Sequence, residues 1–404
     1  MLNFTALPPL SLYVHVPWCI RKCPYCDFNS HASNEEAIPE AAYVDALIRD
    51  LEQDLPAVWG RGVDSIFIGG GTPSLLSGQA VERLLSAIRA RLPLKPGLEV
   101  TLEANPGTLD REKLAAFRAA GVTRLSLGVQ SFNDTALRGL GRIHDADQAL
   151  EAIGAVAAAG FESWNLDLMY GLPGQTIEQA LDDIRAAVAC APPHLSHYQL
   201  TIEPNTLFHA RPPRLPEEDD IWTMHQQCRE HLIAHGLQPY EISACARDRQ
   251  QCLHNLNYWR FGDYLGIGAG AHAKISNAEH GCIERSWKVR HPRQYMERLL
   301  DGGDAAAHIG ERRRLEPADV ILEFMMNAFR LNEGFPASLF QQHTGLPLAL
   351  AEPALRQGEE RGLIARDAHT IRPTPLGQRF LNDLLALFMD DNPARRHIAI
   401  VTPP

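Results

Sequence analysis

Residues 13–28 read YVHVPWCIRKCPYCDF. The apolar run Leu12–Val16 has the character of a buried strand, and it leads directly into a loop carrying Cys19, Cys23 and Cys26. Three thiols in so short a loop converge when something binds them. An iron–sulfur cubane has four irons, so three local thiolates leave one iron open to another ligand. Zinc is the competing reading, with His15 or His31 completing a four-ligand site. A disulfide framework is excluded by count, since eight cysteines in 404 residues are too dilute.

Outward from this loop the first half alternates strand-like and helix-like segments. The strands expected after Leu12–Val16 are Ser65–Gly69, Glu99–Ala104, Arg124–Val129, Trp164–Met169 and Ser196–Ile202. Amphipathic helices are expected between them over Pro39–Leu55, Ala80–Leu92, Asp110–Ala120, Asp145–Ala159 and Thr176–Cys190. Strands separated by helical crossovers imply a parallel sheet. Its strands carry polar residues at period two (Thr101 with Glu103, Asn165 with Asp167), whereas strands buried on both faces would be continuously apolar. The fold class expected is therefore α/β: a partial (β/α)6 barrel with a solvated interior. Residues 1–210 form this barrel. Residues 211–305 extend it, with the glycine-rich Asp263–Ala273 returning to the barrel rim. Residues 306–404 form a C-terminal, mostly helical, winged-helix-like domain ending in a helix over Leu376–Phe388.

In such barrels the C-terminal strand ends build the site. Polar residues stand there in series: Gly70, Gly71 and Thr72 after the second strand, Glu103 ending the third, Gln130 after the fourth, Asp167 near the end of the fifth, and Thr201 and Glu203 ending the sixth. Asn105, before Pro106, reads as a turn cap. Each alone fits an ordinary turn; a candidate after every strand favours one shared pocket.

The balance of 38 basic and 49 acidic residues gives a net charge of −11, which disfavours general nucleic-acid binding. The N-terminus lacks the basic segment of a secretory signal, and no run of about 20 apolar residues predicts a membrane span. The expected location is the cytoplasm, where clustered thiols stay reduced.

Residues 13–28 resemble the cluster loop of the radical S-adenosylmethionine superfamily. The resemblance implies a [4Fe-4S] cluster on Cys19, Cys23 and Cys26. S-adenosyl-L-methionine (AdoMet) would chelate the fourth iron and be cleaved reductively to a 5′-deoxyadenosyl radical. It further implies AdoMet contacts from Tyr13, Gly70, Gly71, Thr72, Glu103, Gln130, Arg142 and Asp167, with Tyr25 near the adenine. IFIGGGTPSLL, TLEANP, RLSLGVQSF, LDLMYGLPGQT and YQLTIEPNT extend the likeness to the oxygen-independent coproporphyrinogen III oxidase group, from Leu12 to about Phe388. Two features resemble the heme-chaperone branch of that group. Phe28 stands where the oxidase carries a further cysteine, and HNLNYW (residues 254–259) is similar to a motif implicated in heme binding, with His254, Tyr258 and Trp259 as its contacts and Cys252 as a neighbouring ligand candidate. The function implied is heme binding and delivery to acceptor hemoproteins of respiration, with a homodimer admitted and productive AdoMet turnover left open. The alternative is the oxidase reaction, decarboxylation of coproporphyrinogen III propionates to give protoporphyrinogen IX.

Overall fold

The computed structural model describes residues 1–33, 38–301 and 306–389. Six strands, β1 (Leu10–Val16), β2 (Val63–Gly70), β3 (Leu94–Ala104), β4 (Arg124–Gln130), β5 (Ser163–Tyr170) and β6 (His194–Gln199), pair in parallel in chain order. The crossovers run through α1 (Glu40–Asp54), α2 (Gly78–Arg91), α3 (Arg111–Ala120), α4 (Ala146–Ala158) and α5 (Ile177–Ala189). Asp110, Asp145 and Thr176 cap three of these helices, each accepting a first-turn backbone N–H. Gly121 ends α3 at φ +104°, a left-handed conformation that glycine adopts without steric cost. The apolar faces of strands and helices close into one large core.

Two expectations are corrected. The sixth strand stops at Gln199, not Ile202. The chain turns at Pro204–Asn205, where Asn205 has φ +64°, and Thr206 caps the next short helix; Thr201 and Glu203 therefore lie on a loop. The glycine-rich segment does more than return to the rim, where Gly268 packs on the His15 carbonyl and Gly270 on Asn29. Asp263–Ile267 is a seventh parallel strand, β7, seated beside β1. Gly266 leaves no room for a Cβ, which would fall 1.9 Å from the His272 carbonyl oxygen. That close approach lets the chain reverse into β8 (His272–Asn277), β9 (Cys282–Lys288) and β10 (Ile309–Arg314), all antiparallel. At the opposite edge, after α6 (Glu218–Ala234), Ala244–Ala246 and Gln238–Pro239 add antiparallel pairs beyond β6. The sheet is thus open, with twelve strands among the described residues.

A short helix, α7 (Leu253–Trp259), packs on β1, β2 and β7. Its N-terminus is held by Glu99 at the inner end of β3, whose carboxylate accepts from the Leu253 and His254 amides, each at 3.2 Å. α7 thereby floors the open barrel. A second core joins Leu2 to the C-terminal helices α9 (Pro317–Ala328), α10 (Ala337–Thr344) and α11 (Glu352–Glu360), after α8 (Pro292–Leu300). A three-stranded antiparallel sheet with the hairpin Ile364–Arg366/Thr370–Pro373 completes the winged-helix-like unit. The expected final helix is broken at Phe380 into Pro375–Arg379 and Leu381–Ala386, and residues 390–404 lie outside the described residues. No helix among the described residues is long and apolar enough to cross a membrane.

Candidate functional site

The cysteine loop is anchored at both ends. Tyr43 on α1 donates its hydroxyl to the His15 carbonyl (2.7 Å) and accepts from the Ala269 amide (2.9 Å). Trp18–Cys19 pairs with His31–Ala32 to close the loop. Cys19, Cys23 and Cys26 are half-buried. Burial raises the Cys19 thiol and lifts Cys26 to about 11, so the thiolates needed for ligation depend on a bound cation. The Arg142 guanidinium donates to Cys23 Sγ at 3.6 Å. All three cysteines line the central cavity.

The glycine run lets β2 press against this loop. Gly70 has φ +116°, the Gly71 amide reaches the Val16 carbonyl at 2.7 Å, and a Cβ on Gly71 would meet the Trp18 carbonyl at 2.4 Å. The Gly70 amide donates to Glu103 Oε2 at 3.0 Å. Burial, then the Asp167 charge, lifts the Glu103 carboxyl to about 8 against that hydrogen bond. Burial also raises Asp167, opposed by hydrogen bonds from Asn165 (2.8 Å) and Ser126 (3.0 Å). Gln130 closes β4 at φ +71°, an uncommon conformation for a side chain other than glycine and one that collects at functional sites. Arg142 packs over Gly128 and donates to its carbonyl at 2.6 Å.

One cavity of about 510 Å³ gathers Cys19, Cys23, Tyr25, Cys26, Gly70, Gly71, Thr72, Glu103, Gln130, Arg142 and Asp167 with Trp259 of α7. Thr201 and Glu203 reach it from their loop, hydrogen-bonded to each other at 2.8 Å. Asn105 caps the turn after β3, accepting from the Gly107 amide at 3.0 Å. Tyr13, His254 and Tyr258 do not line the cavity. Tyr13 is buried against Phe67 with its hydroxyl on His15 Nδ1. His254 lies beneath the floor, with its ring 5.0 Å from Phe67 and Nδ1 3.1 Å from Ser65 Oγ. Burial, then Arg124, pushes its imidazole down to about 3, so it is neutral. Helical geometry separates the motif: 254 and 258 share one face of α7, while 255 and 259 share the face turned to the cavity. Cys252 is fully buried on Glu99, 3.6 Å from its Oε1, and its thiol is pushed up to about 12.

Sequence reasoning missed Arg124, Glu241, Asn255 and Arg330, all of which line the cavity floor. For Arg124 a signal existed: Arg124, Ser126 and Gly128 alternate on the interior face of β4. Arg330 follows α9 in the C-terminal unit, and nothing local points it toward the barrel.

A parallel, open βα barrel with three thiols after its first strand, a glycine cradle after its second and two half-buried carboxylates lining the same cavity is the arrangement of a radical SAM protein. The radical SAM superfamily pattern matches residues 13–187, and the HemN C-terminal domain pattern matches residues 315–380. The chain is 49% identical to the heme chaperone HemW of Escherichia coli, over 95% of this chain and 99% of that protein. It is 46% identical to the Haemophilus influenzae heme chaperone HemW, with the same coverage. The solved structure of E. coli coproporphyrinogen III oxidase HemN superposes with a TM-score of 0.78 at 25% identity, covering 95% of this chain and 90% of that one. The chain belongs to the HemW family of heme chaperones.

Proposed function

We propose that this chain holds heme in its central cavity and delivers it to an acceptor hemoprotein, of respiratory type, in the cytoplasm. Cys19, Cys23 and Cys26 hold a [4Fe-4S] cluster. Gly70, Gly71, Thr72, Glu103, Gln130 and Asp167 hold AdoMet, with Arg142 toward its carboxylate and Tyr25 toward its adenine. The observation that carries this reading is the continuity of the cavity: one space runs from the thiols to the Trp259 face of the motif helix. The donor set suits both groups. Three thiols in one short loop fit a cluster that leaves one iron open, and two carboxylates beside a glycine cradle fit a cationic ligand. When bound, cluster and AdoMet supply one-electron chemistry. The chain's own part is to place them over the cargo and exclude water. Asn255 and Trp259 present a flat, partly aromatic floor to a porphyrin, while His254 and Tyr258 support it from below. Eight unpaired thiols suit a reducing compartment. A homodimer fits transfer by the family analogy.

The test is anaerobic reconstitution, heme titration, and transfer to an apo-hemoprotein. Brown protein containing iron and sulfide that binds heme and loads the acceptor is expected; colourless protein with one zinc would sink the reading. Incubation with coproporphyrinogen III, AdoMet and reductant should leave the substrate intact, and accumulation of protoporphyrinogen would favour the oxidase reaction instead. His254→Ala should weaken heme binding by roughly tenfold through loss of floor support, with the heme absorption band unmoved. A shifted band would instead make His254 a direct ligand.

A further inference from the structure

The floor of the cavity holds a guanidinium with no partner. Arg124 opens β4 and is 3% exposed, yet among the described residues no hydrogen bond or ion pair reaches its side chain, and its Nε is buried and unsatisfied. A buried cation without a partner is costly, and native structures keep such groups where a ligand completes them. Nearby carboxylates hold Arg124 ionised without touching it. Glu99 gives its oxygens to the α7 amides, and Asp167 gives its own to Ser126 and Asn165.

A second guanidinium lines the same cavity: Arg330 stacks on Trp259, 4.2 Å from the ring centroid, and pairs with Glu241 (3.4 Å), with Ser243 Oγ at 3.5 Å. Arg330 Nε and Trp259 Nε1 are also buried without acceptors. The unmet groups on Arg124, Arg330 and Trp259 are all donors, so their complement is an acceptor, and the unpaired Arg124 guanidinium specifies an anionic one. This chamber adjoins the AdoMet residues: Arg124 pairs with Thr101, two positions before Glu103 on β3.

We infer that this inner chamber binds a carboxylate of the cargo, with Arg124 as its anchor and the Arg330–Trp259 stack as its second wall. A propionate-bearing tetrapyrrole then enters carboxylate-first and lies beneath the AdoMet residues. The inference rests on the heme reading above.

The test titrates the reconstituted wild-type chain with heme and with heme dimethyl ester, whose propionates are capped. Heme should bind at least tenfold more tightly, the range of a charge-assisted hydrogen bond. Arg124→Gln should bind heme about tenfold more weakly and bind the ester like the wild type; Arg124→Lys should keep part of the preference. Equal wild-type affinity for heme and ester would overturn the inference while leaving the heme reading intact. So would a preference that survives in Arg124→Gln. Binding of neither compound would overturn both. The wild-type comparison stands even if a variant misfolds.

Discussion

Replacing Lys288 with methionine is expected to destabilise the chain by about 3–5 kcal/mol, and adding Asp50→Asn should recover most of that loss. The Lys288 side chain is 2% exposed, and its ammonium donates to Asp50 Oδ1 and Asp54 Oδ2, each at 2.6 Å, with His308 Nε2 at 3.1 Å. Asp50, Asp54 and His308 form a cluster with metal-ligand spacing, but the ammonium fills its centre, so the cluster is an ion-pair knot. Burial would raise the Asp50 carboxyl; Lys288 and His308 outweigh it and hold Asp50 down at about 2. Its stabilising contribution is therefore complete above the ordinary carboxylate range and lost as the pH falls through about 2. Asp50 Oδ2 also accepts from the Tyr295 hydroxyl (2.5 Å) and the Gly268 amide (3.0 Å). Two turns earlier on α1, Tyr43 grips the His15 carbonyl at the root of the cysteine loop. The knot thus fixes the helix that fixes the loop. Urea unfolding checks this, and a Lys288→Met midpoint equal to wild type would show that the charges contribute nothing net.

The barrel was legible because its signals are local and repeated. Each crossover helix has its amphipathic period, and each strand shows polar residues on one face, which a solvated interior requires and a doubly wound sheet does not. Cys19, Cys23 and Cys26 were legible by spacing alone. β7 was not: DYLGI is short and glycine-bearing, and its strand character comes from docking beside β1, a partner some 250 residues earlier in the chain. The aim of α7 was hidden for a different reason. A motif names residue types, whereas the helical period decides which of them face the cavity, and it turns His254 and Tyr258 beneath the floor. Arg330 reaches the barrel only through packing of the C-terminal unit, so no window of sequence contains it together with Trp259.

AdoMet affinity is expected to rise by roughly fiftyfold between pH 6 and pH 8, a slope that Glu103→Gln should abolish. Glu103 is held up to about 8 by burial and by the Asp167 charge, so near neutrality it carries a proton in the ligand-free cavity. A cationic ligand needs the carboxylate. Its arrival expels that proton, and below about 8 each pH unit then changes affinity close to tenfold. The AdoMet amino group also titrates, but any slope it contributes is shared by the variant, so the difference between the two profiles belongs to Glu103. Folding follows the opposite sign. The folded-state pKa lies above the unfolded one, so stability falls as the pH climbs from the ordinary carboxylate range toward 8. Glu103→Gln should therefore raise the urea midpoint at pH 8 and barely move it at pH 5, while weakening AdoMet at pH 8. A residue whose replacement stabilises the empty protein and impairs the loaded one is kept for its ligand. Parallel pH profiles for wild type and variant would remove Glu103 from the AdoMet site.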